Sequence, residues 1–207
     1  MPKIVDRVER REEIAGAVWT LIAREGIEGL TMRKVATEAG MSIGGLPHDF
    51  ATRDELITFA MTLAYERAAV GVRRVATIDP AAEALREVVH MDLPLDQEGR
   101  DECLVWLSFW SMAAISPAMT EEHSRRYGTW RSLLVTLIKK GQDEDDLDPA
   151  LDAELQADIL VALLDGLSVE SLVEPGHITP QRCVAIIDSH LDSLRTPAAK
   201  RALAEEG

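Results

Sequence analysis

The side chains able to do chemistry concentrate in two stretches. Between Leu30 and Leu56, hydroxyls and cations sit among glycines: Thr31, Arg33, Lys34, Ser42, Gly44, Gly45, His48 and Arg53. Between Trp106 and Trp130, three of the four tryptophans fall within 25 residues, together with Phe109, Trp110, Met112 and Met119. Trp106 and Trp110 stand one helical turn apart. Aromatics on facing helices, with a few polar groups among them, are what a pocket in a helical bundle needs, and stacked tryptophans can cage a cation. His90, His123 and Asp165 are available as the polar groups. The same aromatics would serve equally well as ordinary core packing. Five histidines (His48, His90, His123, His177, His190) and many carboxylates form no metal motif, nucleophile elbow or phosphate loop. No catalytic residue, metal or cofactor is therefore expected, and the chain is not expected to be an enzyme.

The elements that must position these groups are helices. A cap residue followed by proline occurs at Asp79-Pro80, Ser116-Pro117, Asp148-Pro149 and Thr179-Pro180. Proline's missing N–H costs nothing in a helix's first turn, so each pair fits N-cap and N1. Gly141 after Lys139-Lys140, and Pro175-Gly176, fit helix stops. Apolar residues recur at helical spacing, as in Leu56, Phe59, Leu63 and Val70, and no alternating strand pattern stands out. Nine helices are expected, at about 5–25, 32–39, 43–49, 53–76, 80–90, 98–115, 117–141, 150–173 and 180–195.

The 30–56 segment has a tight grammar. Gly26 stops the first helix and Thr31 can cap a short second one through Ala39. Gly40 suits the left-handed residue past its end. Ser42 can cap a third helix only two residues later. Two short helices joined so closely form a helix-turn-helix, whose second helix enters the major groove of DNA. Thr52 with Glu55 makes a capping box for the fourth helix. Val35, Ala36, Ala39, Met41, Leu46 and Phe50 supply a small core.

At this point the chain resembles the TetR family of transcriptional regulators. The match rests on Leu30-Thr31-Met32-Arg33-Lys34-Val35-Ala36, then Ala39-Gly40-Met41-Ser42-Ile43-Gly44-Gly45-Leu46, then Phe50 and Thr52-Arg53-Asp54-Glu55-Leu56. Around Glu12 to Leu63 the motifs are specific as a set. The resemblance implies that Thr31, Arg33 and Lys34 contact phosphates at the start of helix two. It places Ser42, Gly44 and Gly45 at the exposed N-terminal end of the recognition helix, where backbone N–H groups face DNA. His48 then meets the backbone, and Arg53 clamps a phosphate from the fourth helix. Two departures stand out: Pro47 replaces a common tyrosine, and Asp49 another aromatic. Pro47 removes one helical N–H, and an outward-pointing Asp49 would repel phosphate. An unusual operator, or recognition leaning on DNA shape, is expected. Ser108-Phe109-Trp110-Ser111-Met112, the segment from Trp130 to Gly141, and Leu163-Leu164-Asp165-Gly166-Leu167 are similar to a BetI-like subgroup of the same family.

The fold expected is all-α: a helix-turn-helix DNA-binding domain over residues 1–52, then a helical-bundle ligand-binding and dimerisation domain over 53–207. The 207 residues suffice for both, and 46% are apolar. Net charge is −14, unequally spread: residues 1–75 carry 11 basic and 11 acidic groups, and the remaining 11 basic and 25 acidic groups give the whole excess. A neutral head is a weak electrostatic anchor, so DNA binding needs well-placed contacts. The expected ligand-binding residues are Trp106, Phe109, Trp110, Met112, Trp130 and Asp165. The family resemblance implies a homodimer through about 150–173 and 180–195, with Leu160, Leu163, Leu164 and Leu167 on one face and Ile186, Ile187, Leu191 and Leu194 on the other. Gly166, costly inside a helix, suits a close helix approach. No apolar run approaches a membrane span, the start has no signal-peptide pattern, and Cys103 and Cys183 are expected as reduced buried thiols. A cytoplasmic repressor follows, released from palindromic double-stranded operator DNA by a small-molecule effector. The alternative is a dimeric small-molecule-binding protein that has lost specific DNA binding.

Overall fold

The computed structural model describes residues 2–42, 44–75 and 78–206. The main helices are α1 (Pro2–Glu25), α2 (Met32–Glu38), α3 (Arg53–Val75), α4 (Ala81–His90), α5 (Gln97–Ala113), α6 (Pro117–Asp143), α7 (Ala153–Val173), α8 (Pro180–Ser193) and α9 (Pro197–Glu206), with 3-10 turns at Ile27–Gly29 and Leu46–His48. Among the described residues the extended structure is limited to an isolated bridge between Leu147 and Arg195. No helix of the described residues is long and apolar enough to cross a membrane. Neither cysteine forms a disulfide, and both are buried.

Two compact units divide the chain. The first takes residues 1–69 and 101–121, the second residues 70–100 and 122–207. In the first, the apolar stripe of α1 (Ile14, Val18, Leu21, Ile22) closes on Val35 and Ala36 of α2, on Leu46 and Phe50, and on Leu56, Ile57, Ala60 and Met61 of α3. Ala39 and Met41 pack at the edge of this core. Complete burial of a side chain such as Phe50 contributes about 1.5–3 kcal/mol. The Arg11 guanidinium lies 4.4 Å from the centroids of both the Phe50 and Phe59 rings, and Trp19 Nε1 donates to the Ala60 carbonyl at 3.1 Å. These contacts tie α1 to Phe50 and to α3. Val70, placed on the α3 stripe by its spacing, is 61% exposed instead.

The second unit buries α4 (Ala84, Leu85, Val88, Val89), α6 (Leu134, Leu137, Ile138), α7 (Ala157, Leu160, Val161, Leu164) and α8 (Cys183, Ile187, Leu191) together. Charges reinforce the α4–α8 contact. Arg86 pairs with Asp188 and, at 2.9 Å, with Asp192, and His90 Nε2 lies 2.8 Å from Asp188. Arg195, only 6% exposed, reaches Glu83 at 2.8 Å.

Several helix boundaries follow the caps, and several do not. Thr179 accepts from the Arg182 N–H to open α8, and α6 begins at Pro117. Asp148-Pro149 opens no helix. Asp148 accepts instead from the Ala150 N–H, and Asp152 caps α7 by accepting from Glu154 and Leu155. Gly141 ends nothing either: α6 runs on to Asp143, and a Cβ at Gly141 would stand 2.8 Å from Leu147 Cδ1, so the glycine makes room for that side chain. The left-handed residue is Asp145, at φ 62°. The final helix, α9, lay outside the nine expected and begins at Thr196-Pro197, with Thr196 accepting from Ala199. Ala76, the expected end of the fourth helix, and Ile43, the expected start of the third, lie outside the described residues.

Candidate nucleic-acid interface and polar cluster

Each residue of the 30–56 segment has a local reason for its place. Thr31 is extended, and its hydroxyl accepts from the Lys34 N–H at 3.3 Å, capping α2. Gly40 takes φ 65°. The Gly40 N–H then bonds to the Thr37 carbonyl and the Met41 N–H to that of Ala36, closing α2 with paired backbone bonds. Thr52 accepts from the Glu55 N–H, while the Glu55 carboxylate takes the N–H of Ala51, one residue before the usual capping-box partner.

The expected recognition helix over 43–49 is not formed as such. Its place is taken by a turn from Ser42 and a 3-10 segment at Leu46–His48. The Ser42 carbonyl, not its side chain, organises the turn by accepting from the Gly45 N–H at 2.9 Å. Gly44-Gly45 is a costly helix start, and Pro47 has no N–H to give to an α-helical ladder. Leu46 anchors the turn in the core, and its carbonyl accepts from both Asp49 and Phe50. Ser42, Gly44 and His48 are left on the surface.

Asp49 does not face outward. It is 8% exposed and pairs with Arg10 Nε at 2.9 Å. Arg10 also lies under Gly45, where a Cβ would stand 3.0 Å from its Nη2. Sequence reasoning missed Arg10, because a partner 39 positions away leaves no local signal.

The cations are placed unequally. Arg33 is exposed and engages no side-chain partner among the described residues. Lys34 Nζ lies 2.6 Å from Glu25 Oε2. Arg53 is half-buried, donating from Nη2 to the Ile27 carbonyl at 2.6 Å and from Nε to that of Leu30 at 3.0 Å. It thereby holds the residues leading into Thr31, so Arg53, Thr31, Arg33 and Lys34 form one neighbourhood.

The six expected ligand-binding residues are shared between the units. Trp106, Phe109, Trp110 and Met112 belong to the first, Trp130 and Asp165 to the second. The Trp106 ring lies 4.7 Å from that of Tyr65 and 6.0 Å from that of Phe109, which is itself fully buried. Trp130 packs at the edge of the second core. There the Tyr127 hydroxyl donates to Asp165 Oδ1 at 3.0 Å. His123 stacks on Tyr127 with ring centroids 4.1 Å apart, and Arg131 lies 5.8 Å from the Tyr127 ring. Tyr127 escaped the sequence reading, although its spacing from His123 and Arg131, one turn each way on α6, was there to see.

Burial holds the Asp165 carboxyl above the usual carboxylate range, against the Tyr127 hydroxyl and the Arg131 charge, which both lower it. Burial, and then Arg131, push His123 down. A carboxyl raised in the folded state costs stability where it is ionised, and that cost vanishes once the pH falls far enough to protonate it in the unfolded chain too. Asp165→Asn, which keeps an acceptor for Tyr127, is therefore expected to melt higher than the parent at pH 7, with the gap closing toward about pH 3. Thermal melts across that range check it; an equal or lower melting point at pH 7 contradicts the account.

Comparison with known proteins places these features in context. Residues 14–58 match the family described as bacterial regulatory proteins, tetR family. Residues 81–196 match the BetI-type transcriptional repressor, C-terminal family. The chain is 34% identical to the HTH-type transcriptional regulator PksA of Bacillus subtilis, over 94% of each protein. It is 28% identical to the regulator BetI of Burkholderia thailandensis, over 96% of this chain and all of that one (100%). A putative transcriptional regulator from Saccharomonospora viridis, solved in complex with choline, superposes with a TM-score of 0.81 at 26% identity, covering 91% of this chain and 98% of that chain.

Proposed function

The chain belongs to the TetR family of bacterial transcriptional regulators, with a BetI-type C-terminal domain, and from that premise we propose how its residues divide the work of a ligand-responsive repressor. Residues 1–52 bind double-stranded operator DNA, and 53–207 bind the effector and dimerise. Thr31, Arg33 and Lys34 take phosphates, and Arg53, the expected phosphate clamp, acts on DNA chiefly by holding the residues that lead into Thr31. Ser42, Gly44, Gly45 and His48 bring backbone and short side chains to the groove. The observation that carries this reading is the Thr31-capped α2, closed by left-handed Gly40 and followed by a turn that leaves Ser42, Gly44 and His48 exposed while Leu46 anchors it in the core. With a 3-10 turn in place of a long recognition helix, few side chains reach base edges, so shape and backbone contacts supply much of the selectivity. The buried Asp49 removes one of the two grounds for a protein that has lost DNA binding.

The homodimer forms through α7 and α8, by a different face from the one its leucines suggested. Leu160, Leu164, Leu167, Ile187, Leu191 and Leu194 are buried inside the second unit. What α7 presents outward is Leu155, Ile159, Ala162, Gly166, Val169 and Val173, spaced by four and three residues like a coiled-coil seam. Leu155 is 55% and Val173 64% exposed. The residues proposed to contact the effector are Trp106, Phe109, Trp110 and Met112 in the first unit, and Trp130 and Asp165 in the second, where Tyr127 is added as the group that orients Asp165. The choline held by a structural relative makes quaternary ammonium compounds the first effectors to try. The protein works in the cytoplasm, on DNA, and catalyses nothing.

The experiment is binding of the full-length dimer to duplex from its own promoter region, with randomised duplex as competitor. Preferential binding is expected, with log affinity falling by about 0.9 per phosphate contact for each unit of log salt. An effector should release it, since the ligand must bind the free and DNA-bound states differently. No preference at low salt, with the dimer confirmed, shifts the assignment to a small-molecule-binding protein without an operator.

A further inference from the structure

Several cations of the first unit are already matched among the described residues. Arg10 is held by Asp49, Arg24 by Glu25 and Glu38 at 3.0 Å, and Arg67 by Glu12 at 3.9 Å. The most pointed case is Lys34, in the first turn of α2, whose ammonium meets the Glu25 carboxylate at 2.6 Å. The local backbone makes room for this contact. Gly26 takes φ 71° to turn the chain out of α1. A Cβ at Gly29 would come within 2.9 Å of Glu25 Cβ and 3.5 Å of its Oε2. A side chain at Gly29 would therefore crowd the glutamate at the position from which it reaches Lys34.

A carboxylate oxygen at this distance from an ammonium stands where a phosphate oxygen would stand. We infer that Glu25 is an internal competitor for DNA phosphate at Lys34, so that the protein must give up an ion pair of its own to gain one with DNA. This rests on the DNA-binding reading above. Lys34 and Arg24 together hold the Glu25 carboxyl below the usual carboxylate range, so it is anionic wherever DNA binds. Counterion release, which drives cations onto DNA without regard to sequence, is thereby blunted at this contact. Phosphate contacts position a protein but do not specify sequence, so Glu25 weakens promoter and random duplex alike. It keeps a regulator with few cations to spare from lingering on the genome at large. Arg33, which has no such partner among the described residues, keeps its full attraction.

The test uses the full-length protein, a promoter duplex and a random duplex, from about 50 to 200 mM salt. Glu25→Gln is expected to bind both duplexes about two- to tenfold more tightly, with a salt slope steeper by up to about one. Glu28→Gln, the same charge change three residues along, should do neither. In a Lys34→Met background the effect of Glu25→Gln should vanish, and unchanged melting points would show that each variant is folded. Equal affinities for Glu25→Gln and Glu28→Gln overturn the inference, as does a gain that persists in full without Lys34. Tighter random-duplex binding by Glu25→Gln, in a protein that shows no promoter preference, would uphold the inference and sink the operator reading. Failure of every variant to hold any duplex at low salt would sink both.

Discussion

Replacing Gly166 with leucine is expected to split the dimer while leaving each protomer folded. Apart from its chain neighbours and the backbone of its own helix, no described residue lies within 4 Å of a Cβ built at Gly166, so packing among the described residues gives no reason for glycine. Glycine inside a helix costs about 1 kcal/mol against alanine, and the protomer alone should gain slightly from the change. Gly166 sits in the middle of the outward apolar seam of α7, where, in the proposed dimer, the absence of a side chain would let two backbones approach. Two-fold symmetry brings both copies of the new leucine into one interface. Overpacking costs about 1–3 kcal/mol per site, so the dimer should weaken about 100-fold or more. Sedimentation velocity over a range of concentrations reads the assembly, and circular-dichroism melts read the fold. Loss of operator binding should follow, because a palindrome needs two linked heads. An intact dimer would move the interface off this face. An unfolded protomer would show that Gly166 has a packing role within one chain.

The same helix shows why the proposed dimer surface is harder to read from the sequence than the fold. α7 is apolar around nearly its whole circumference, and such a helix is buried on more than one side. Its periodicity announces a helix but cannot rank the faces. Leu160, Leu164 and Leu167 make an obvious stripe, and they go to the protomer's own core. The second stripe, through Ala162 and Gly166, is made of smaller residues and draws less notice.

Elsewhere, what could be seen in the sequence depended on range. Thr31, Gly40, Thr52 and Thr179 act within four residues of themselves, and their caps and turns stand as their types suggest. The little core around Val35, Leu46 and Phe50 was equally legible, because only a few turns of chain must close. The recognition segment was expected to be a helix because Ser42 can cap one, and the chemistry of Gly44-Gly45 and Pro47 prevailed over that cap. Asp148-Pro149 and Asp152 compete for one helix start. Asp152 prevails with two N–H groups satisfied, while the Asp148 carbonyl is taken by Gln142. Pairs such as Arg10–Asp49 and Tyr127–Asp165 join residues 39 and 38 positions apart, and only the folded chain reveals them.

Arg53 is where the two kinds of evidence make opposite predictions. Family likeness casts it as a phosphate clamp, for which charge matters most. In the folded chain its guanidinium spans two carbonyls, of Ile27 and Leu30, on either side of the turn that leads to Thr31. Hydrogen bonds from a charged donor contribute about 1.5–3 kcal/mol each, and partial exposure puts this pair near the low end. Arg53→Ala is therefore expected to cost about 2 kcal/mol, lowering the melting temperature by about 4–8 °C. Operator affinity should fall about 100-fold, because the α2 cap shifts along with the loop and an exact fit to phosphate is lost. Lysine separates the two roles. It keeps the charge but is a compact point donor that cannot fork across two carbonyls. If Arg53 acts mainly as a strut, Arg53→Lys should lose nearly as much stability as alanine, and its operator affinity should lie within a few-fold of that variant. If it acts mainly as a phosphate clamp, Arg53→Lys should melt like the parent and bind almost as tightly, and the strut account falls. The bond lengths favour the strut: a side chain already committed to two backbone oxygens acts on DNA chiefly through the helix it holds in place.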